Sequence, residues 1–158
     1  MAGREGIRRL EDPLMQFRFC VEIDGVAAAG FTKVEGLSAD TDIVKYREGC
    51  DASTSRKLRG LTEYGDITLS RGMTSDVDLW NLKTRVFDAF LGAAGVSSPI
   101  YRFDMYIIQR DMTGIDIKTW KVERCWVAKY EIDSLNASSS EVALETIVIA
   151  NEGFYLER

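Results

Sequence analysis

The chain has 158 residues, of which 46% are hydrophobic and 28% charged, and its 20 basic and 25 acidic residues give a net charge of −5. This size and balance predict one globular domain, spanning residues 1–158, with a core of its own. The acidic charge disfavours nucleic-acid binding over a broad surface. The sequence also has no apolar run near the roughly 20 residues of a membrane helix, so we expect no direct membrane anchoring.

In chain order, residues 1–12 lack the apolar core of a signal peptide and predict a flexible N-terminal arm on a protein made in the bacterial cytoplasm. Residues 15–23 alternate between apolar and polar side chains, which predicts a strand with one wet face. The pair Asp24-Gly25 predicts the turn that ends it. Further strands are predicted at about residues 30–37, 40–47 and 66–70.

The connection formed by residues 47–62 is long, polar and locally basic. Its charged residues include Arg47, Glu48, Arg56, Lys57 and Arg59. Loops longer than about 12 residues without structure of their own are uncommon in compact domains and are usually functional or disordered. We interpret the segment as an extended inter-subunit loop, and the alternative is a solvated surface loop.

A single helix is predicted after Gly72. Thr74 and Ser75 suit its N-cap, and Ser75 has the spacing of a capping box with Asp78. Asp76 and Asp78 suit the positive end of the helix dipole. The residues at helical spacing are Leu79, Leu82, Val86 and Phe90, widened by Trp80, Phe87 and Leu91. This stripe predicts a helix that lies on a sheet with Trp80 in the core.

After the helix, residues 101–108 become apolar on both faces, which predicts a central strand. Asp111–Gly114 predicts a turn into a hairpin partner at residues 115–123. The last strands are predicted at residues 125–132 and 142–150. The fold class is therefore mainly β (α+β), an antiparallel sandwich or barrel of about eight strands with one flanking helix.

Catalytic and metal-binding chemistry is poorly represented in the sequence. It has no histidine, which removes the commonest general base and zinc ligand. Cys20, Cys50 and Cys125 are widely spaced and fit a reducing compartment rather than a disulfide framework. Close carboxylates such as Asp40 and Asp42 fit strand-edge solvation better than acid/base catalysis. We expect neither an enzyme nor a bound cofactor or metal.

Several short strings carry a resemblance to a known family through their order along nearly the whole chain. They include Val34-Glu35-Gly36-Leu37, Tyr46-Arg47-Glu48-Gly49, Arg56-Lys57-Leu58-Arg59-Gly60, Tyr64-Gly65-Asp66, Leu79-Trp80, Trp126-Val127-Ala128-Lys129 and Glu141-Val142-Ala143-Leu144-Glu145. In this order they resemble the tail-tube proteins of contractile phage tails and of phage-derived contractile injection particles. Arg59 and Val127 depart from the family pattern, which often has proline at both positions.

The resemblance implies a structural subunit that forms six-membered rings, which stack into a hollow tube inside a sheath. The implied partners are further copies of the chain, a sheath protein, baseplate and tube-terminating proteins, and a tape-measure or cargo protein in the lumen. The implied location is a phage tail or a released phage tail-like particle. For the inter-ring contact we predict that Arg47, Glu48, Arg56, Lys57 and Arg59 of one subunit meet Asp76 and Asp78 of another. The alternatives are a type VI secretion ring protein of the same fold and a small ligand-binding β-barrel.

Overall fold

A computed structural model describes residues 18–24, 26–28, 30–50, 54–91 and 101–158. These residues form ten strands and one helix, which confirms the mainly β class with a single helix. The elements are β1 (Phe19–Ile23), β2 (Val26–Ala28), β3 (Phe31–Glu35), β4 (Ala39–Tyr46), β5 (Arg56–Tyr64), β6 (Ile67–Gly72), α1 (Asp78–Leu91), β7 (Phe103–Arg110), β8 (Asp116–Ile132), β9 (Leu144–Ala150) and β10 (Gly153–Leu156). The predicted arm at residues 1–12 and the predicted strand start at residues 15–17 lie outside the described residues.

Eight of the strands form one antiparallel sheet in the order β2-β1-β7-β8-β9-β6-β3, with β10 paired to β8. The predicted turn at Asp24 is confirmed, since Ile23 pairs with Val26 and Asp24 has a φ of 53°. The turn before β8 is also confirmed, because the amide of Gly114 donates to the carbonyl of Asp111 at 3.0 Å. As predicted, β7 is central and buries neighbouring residues on both of its faces, Ile107 and Ile108.

β8 is one strand of 17 residues where the sequence predicted two. At the expected break, Arg124 has a φ of 51°, and two residues of β8 lie opposite Asp104 of β7. A bulge of this kind bends a strand without ending it. The half of β8 before the bulge therefore pairs with β7 and β10, and the half after it pairs with β9.

Three polar groups hold the bend in β8. The amide of Arg124 donates to Oδ1 of Asp104 at 3.2 Å, and its guanidinium donates to Oε2 of Glu152 at 2.9 Å. The hydrogen bond from Arg124, supported by Arg102, lowers the pKa of the Glu152 carboxyl below its ordinary value. Glu152 follows β9, so this contact ties the connection between β9 and β10 to the same bend.

The core lies between the two halves of the bent sheet and under the helix. Its fully buried side chains come from β1, β6, β7, β8, β9 and α1 and include Val21, Ile67, Leu69, Leu79, Met105, Val122, Ile147 and Ile149. Alternation along β6 and β9 buries every second side chain, and four of these, Ile67, Leu69, Ile147 and Ile149, belong to this core. The predicted helix stripe is confirmed at Leu79 and Leu82, which are 2% and 9% exposed.

The helix begins later than its predicted caps. Oδ1 of Asp76, rather than Thr74 or Ser75, accepts the amide of Asp78 at 3.1 Å. Thr74 instead accepts the amide of Asp76 at 3.3 Å and so shapes the approach to the helix. Within the described part of the chain, this helix lacks the length and apolar character required to cross a membrane.

The remaining two strands, β4 and β5, form a separate antiparallel hairpin. The predicted extended loop at residues 47–62 is therefore wrong in its second half, since β5 starts at Arg56. Polar composition does not prevent a strand here, because backbone hydrogen bonds to β4 are independent of side-chain polarity. We call β4, β5 and the residues between them the arm hairpin.

The root of the arm hairpin is fixed to the sheet. The amide of Gly65 donates to the carbonyl of Ser38 at 2.9 Å, and Nδ2 of Asn151 donates to the carbonyl of Gly65 at 2.8 Å. The rings of Tyr64 and Phe154 meet edge to face with centroids 5.6 Å apart. The hairpin thus leaves the domain from a defined point.

Candidate assembly interface

The arm hairpin exposes both of its faces. Every residue of β4 is exposed, and in β5 only Gly60 is half-buried. The cross-strand register pairs Ile43 with Arg59 and Val44 with Leu58. Since directly paired residues share a face and successive residues alternate, each face carries both apolar and basic side chains. A bulge places Gly60 and Leu61 opposite Asp42 and moves Leu61 to the face of Val44. One face therefore presents Ile43, Lys45, Lys57 and Arg59, and the other presents Val44, Tyr46, Arg56, Leu58 and Leu61.

The basic residues predicted for assembly all lie on this hairpin. Arg56, Lys57 and Arg59 are exposed on β5, while Arg47 and Glu48 are exposed just beyond β4. The hydroxyl of Tyr46 reaches Oε1 of Glu48 at 3.5 Å. The structure therefore gathers the basic residues on one protruding element, although they divide between its two faces.

The predicted acidic partners, Asp76 and Asp78, lie together at the start of α1. Asp76 is engaged within its own subunit, because Oδ2 lies 3.3 Å from Nη1 of Arg71. The amide of Asp78 and, next, Arg71 lower the pKa of Asp76, so it is ionised at neutral pH. Asp78 is exposed. The helix start therefore presents one internally anchored carboxylate and one exposed carboxylate.

Sequence reasoning missed the apolar part of these surfaces. On the arm hairpin, Ile43 is 63% exposed and Leu61 is 77% exposed. At the helix start, Trp80 is 50% exposed, so the prediction that it lies in the core is wrong. The available signal was short, the alternation of Val44, Lys45 and Tyr46 and of Lys57, Leu58 and Arg59, which is the pattern of a strand.

Among the described residues, three strands of the main sheet have a neighbour on one side only, β2, β3 and the short β10. An end strand presents unpaired backbone N–H and C=O groups to any strand that approaches it. The strand β3 carries an exposed ion pair between Lys33 and Glu35, with 2.8 Å between nitrogen and oxygen. Charged side chains of this kind are a common protection for a sheet edge.

Enzymatic and ligand-binding features are weak in the described residues. Their acidic and cysteine side chains form no group of three suited to a metal ion. A concavity of ≈ 460 Å³ runs along the exposed loop between β8 and β9, lined in part by Asp133, Leu135 and Val142. A ligand-binding barrel would have its lumen inside the sheet core, whereas this concavity lies outside that core.

Comparison with known proteins identifies one family. The family description of the T4-like virus tail tube protein gp19 matches residues 15–155, which is nearly the whole chain. No curated relative matches the sequence.

Solved structures share the fold over most of the chain. A chain of the sheath-tube complex of an extracellular contractile injection system, PVC, has a TM-score of 0.74 at 22% identity and covers 94% of this chain and 93% of its own. A chain of the tube-terminating cap of the anti-feeding prophage has a TM-score of 0.78 at 20% identity, with 99% of both chains covered. Hcp1 from Flavobacterium johnsoniae has a TM-score of 0.53 at 18% identity and covers 89% of this chain and 95% of its own.

Proposed function

Because the chain belongs to the family of T4-like virus tail tube proteins, we propose that its copies form hexameric rings that stack into a hollow tube inside a contractile sheath. The observation that carries the proposal is the arm hairpin, which projects from the domain with both faces exposed. An isolated two-stranded hairpin is marginally stable at best in water. Assembly would bury the faces of the hairpin against other subunits.

Ring formation follows from the open ends of the sheet. In a cyclic ring, β3 of one subunit pairs with β2 of the next, so that these two end strands both find a partner. The sheets of all subunits then join into one continuous inner barrel. Each such contact is expected to bury about 800 Å² or more per partner, as durable interfaces do.

Stacking uses the charged residues of the arm hairpin. Arg47, Glu48, Arg56, Lys57 and Arg59 of one ring lie against the helix start of the neighbouring ring, where Asp76 and Asp78 supply the opposite charge. Exposed ion pairs are worth only about 0 to 1 kcal/mol each. Because a tube repeats these ion pairs at every subunit, their summed free energy stabilises the stack of rings.

The proposed partners are those of a tube subunit. The similar chains come from a sheath-tube complex, a baseplate and a tube-terminating cap, which supports a sheath protein, baseplate proteins and terminating proteins as partners. A tape-measure or cargo protein fills the lumen. The subunit is not an enzyme, has no specific nucleic-acid partner, and is made in the cytoplasm before it enters a phage tail or a released tail-like particle.

The test of the stacking contact is the double variant Arg56→Glu with Lys57→Glu. We expect it to keep the fold and to lose long tubes in negative-stain microscopy, because two cations per subunit become anions opposite Asp76 and Asp78. The control is Lys118→Glu with Arg158→Glu, which makes the same change of charge at exposed positions outside the hairpin.

Two outcomes would contradict the proposal. If the Arg56 and Lys57 variant formed tubes of normal length and salt resistance, the arm hairpin would have no role in stacking. A wild-type protein that stays monomeric by light scattering at tens of micromolar, with and without a baseplate template, would contradict ring formation itself.

A further inference from the structure

An exposed aromatic side chain marks the start of the helix. Trp80 lies in the first turn of α1 and meets the ring of Tyr130 edge to face, with centroids 5.5 Å apart. Two exposed aliphatic side chains are placed near it by the backbone. Val77 comes three residues earlier, just before α1, and Ile132 comes two residues after Tyr130 on the same face of β8. We call Val77, Trp80, Tyr130 and Ile132 the Trp80 cluster.

Buried polar side chains hold the Trp80 cluster in place. The hydroxyl of Tyr130 donates to Oε2 of Glu145 at 2.8 Å, and the other carboxylate oxygen of Glu145 accepts from the buried guanidinium of Arg71. Burial and the carboxylate of Glu145 raise the pKa of Tyr130, so its hydroxyl keeps the proton that it donates. The same guanidinium donates to the carbonyl of Asp76 at 3.2 Å, which fixes the residues just before the helix.

A rigid, half-exposed tryptophan with aliphatic neighbours is the composition of an interface hot spot. Such residues dominate binding free energy when a partner excludes water from them. The position beside Asp76 and Asp78 adds negative charge at the rim of the cluster, and residues 73–79 contain no basic residue.

The arm hairpin offers the complementary chemistry. Residues 43–61 contain five basic residues against Glu48 and Asp51. On one face, Val44, Leu58 and Leu61 are exposed beside Arg56. That face can cover an apolar cluster while placing the Arg56 guanidinium on its acidic rim.

We propose that the Trp80 cluster is the docking site of the arm hairpin from a second copy of this chain, with Leu61 and Leu58 against Trp80 and Val77. The inference rests on the proposed function and deepens it, because it names the apolar contact that positions the ion pairs between rings. The ion pairs with Asp76 and Asp78 then fix where the hairpin lies on the helix start, and Trp80 supplies the main apolar contact.

Disulfide trapping tests the contact directly. In a background with Cys20→Ser and Cys50→Ser, Leu61→Cys and Val77→Cys are introduced into separate proteins, which are mixed, assembled and oxidised. Cys125 is left in place, because burial raises the pKa of its thiol to about 12 and makes it unreactive. We expect covalent dimers that join the hairpin peptide to the helix peptide by mass spectrometry.

The matched control replaces Val77→Cys with Met112→Cys, a similarly exposed position in the turn before β8. It is expected to yield no dimer with Leu61→Cys. Rings or tubes of the Leu61→Cys and Val77→Cys proteins that yield no cross-link would overturn the inference and leave the proposed function standing. A protein that never assembles would overturn both.

Trp80→Ala gives an independent measurement. We expect it to raise the critical concentration for tube assembly at least about tenfold, as truncation of a hot-spot aromatic does. Trp80→Phe should recover part of the loss, and Lys83→Ala, whose ammonium lies 4.8 Å from the Trp80 ring centre, should change little. If Trp80→Ala assembled normally and lost only the binding of a sheath protein, the cluster would belong to that partner and the inference would be wrong.

Discussion

Two glycines with nearly the same backbone conformation occupy very different surroundings. Gly30 has a φ of 98° and Gly36 a φ of 93°. A Cβ atom at Gly30 would meet nothing within 4 Å, whereas one at Gly36 would overlap the carbonyl oxygen of Asp66. Gly36 follows β3 and leads into the arm hairpin, so this close approach of two backbone segments sets where the hairpin leaves the domain.

We therefore predict that Gly36→Ala lowers the free energy of unfolding more than Gly30→Ala. The backbone strain of about 1 to 3 kcal/mol is common to both variants. The overlap at Asp66 adds at least about 1 kcal/mol at Gly36 alone. Urea denaturation of the two variants measures the difference, and equal midpoints would show that the two segments can move apart without cost.

At this scale the sequence predicts turns better than exposure. Asp24 and the turn that starts at Asp111 were predictable because turn chemistry is local. Trp80 was not, because helical periodicity places it on the flank of the apolar stripe. Whether a flanking residue is covered depends on how far the sheet extends beneath the helix, and the sequence of the helix contains no such information.

At the scale of elements, one buried ion pair connects β6, β9 and α1. Arg71 and Glu145 are 5% and 4% exposed, and they face each other across paired strands. We predict that Arg71→Met costs about 3 to 5 kcal/mol of stability, because it leaves a buried carboxylate without its cation. Chemical denaturation at neutral pH measures this loss.

The double variant Arg71→Met with Glu145→Met should recover most of the loss, since a pair of apolar side chains leaves no buried charge. The triple variant that adds Tyr130→Phe also removes the hydroxyl that had donated to Glu145. If the double variant were as unstable as Arg71→Met, packing rather than the unpaired carboxylate would account for the cost.

Two elements differ from their predictions for one shared reason. β8 continues through Arg124, and β5 forms in a segment predicted as loop, because in both places backbone pairing with the preceding strand decides the structure. Local sequence shows where apolar side chains alternate. It does not show that Glu152 will hold a bend, or that a polar strand will find a partner.

At the scale of the molecule, the described residues form a bent sheet, one helix and a projecting hairpin that contributes nothing to the buried core cluster. The antiparallel sheet and helix were predictable, because their burial produces periodic patterns. The assembly surfaces were predictable only in their charges, since an apolar side chain that awaits a partner has the same sequence pattern as one that is already buried.

Excision of the hairpin separates folding from assembly. Thr41 and Thr62 pair across the hairpin, and their hydroxyl oxygens lie 2.9 Å apart. Joining them through Asn-Gly, which suits a two-residue turn, removes residues 42–61 but keeps Tyr64 against Phe154. We expect the thermal midpoint to change by only a few degrees, because the exposed hairpin buries little of the core.

The same excision should abolish stacking in negative-stain microscopy and sedimentation, while single rings persist through pairing of β2 with β3. A shorter excision that joins Tyr46 to Arg56 through Asn-Gly keeps the face of Val44, Leu58 and Leu61 and should retain part of the stacking. Because this control removes the tip but not the apolar face, the two variants distinguish a contact made by the hairpin end from one made along its length. A hairpinless protein that fails to fold would show instead that the arm hairpin stabilises its own domain.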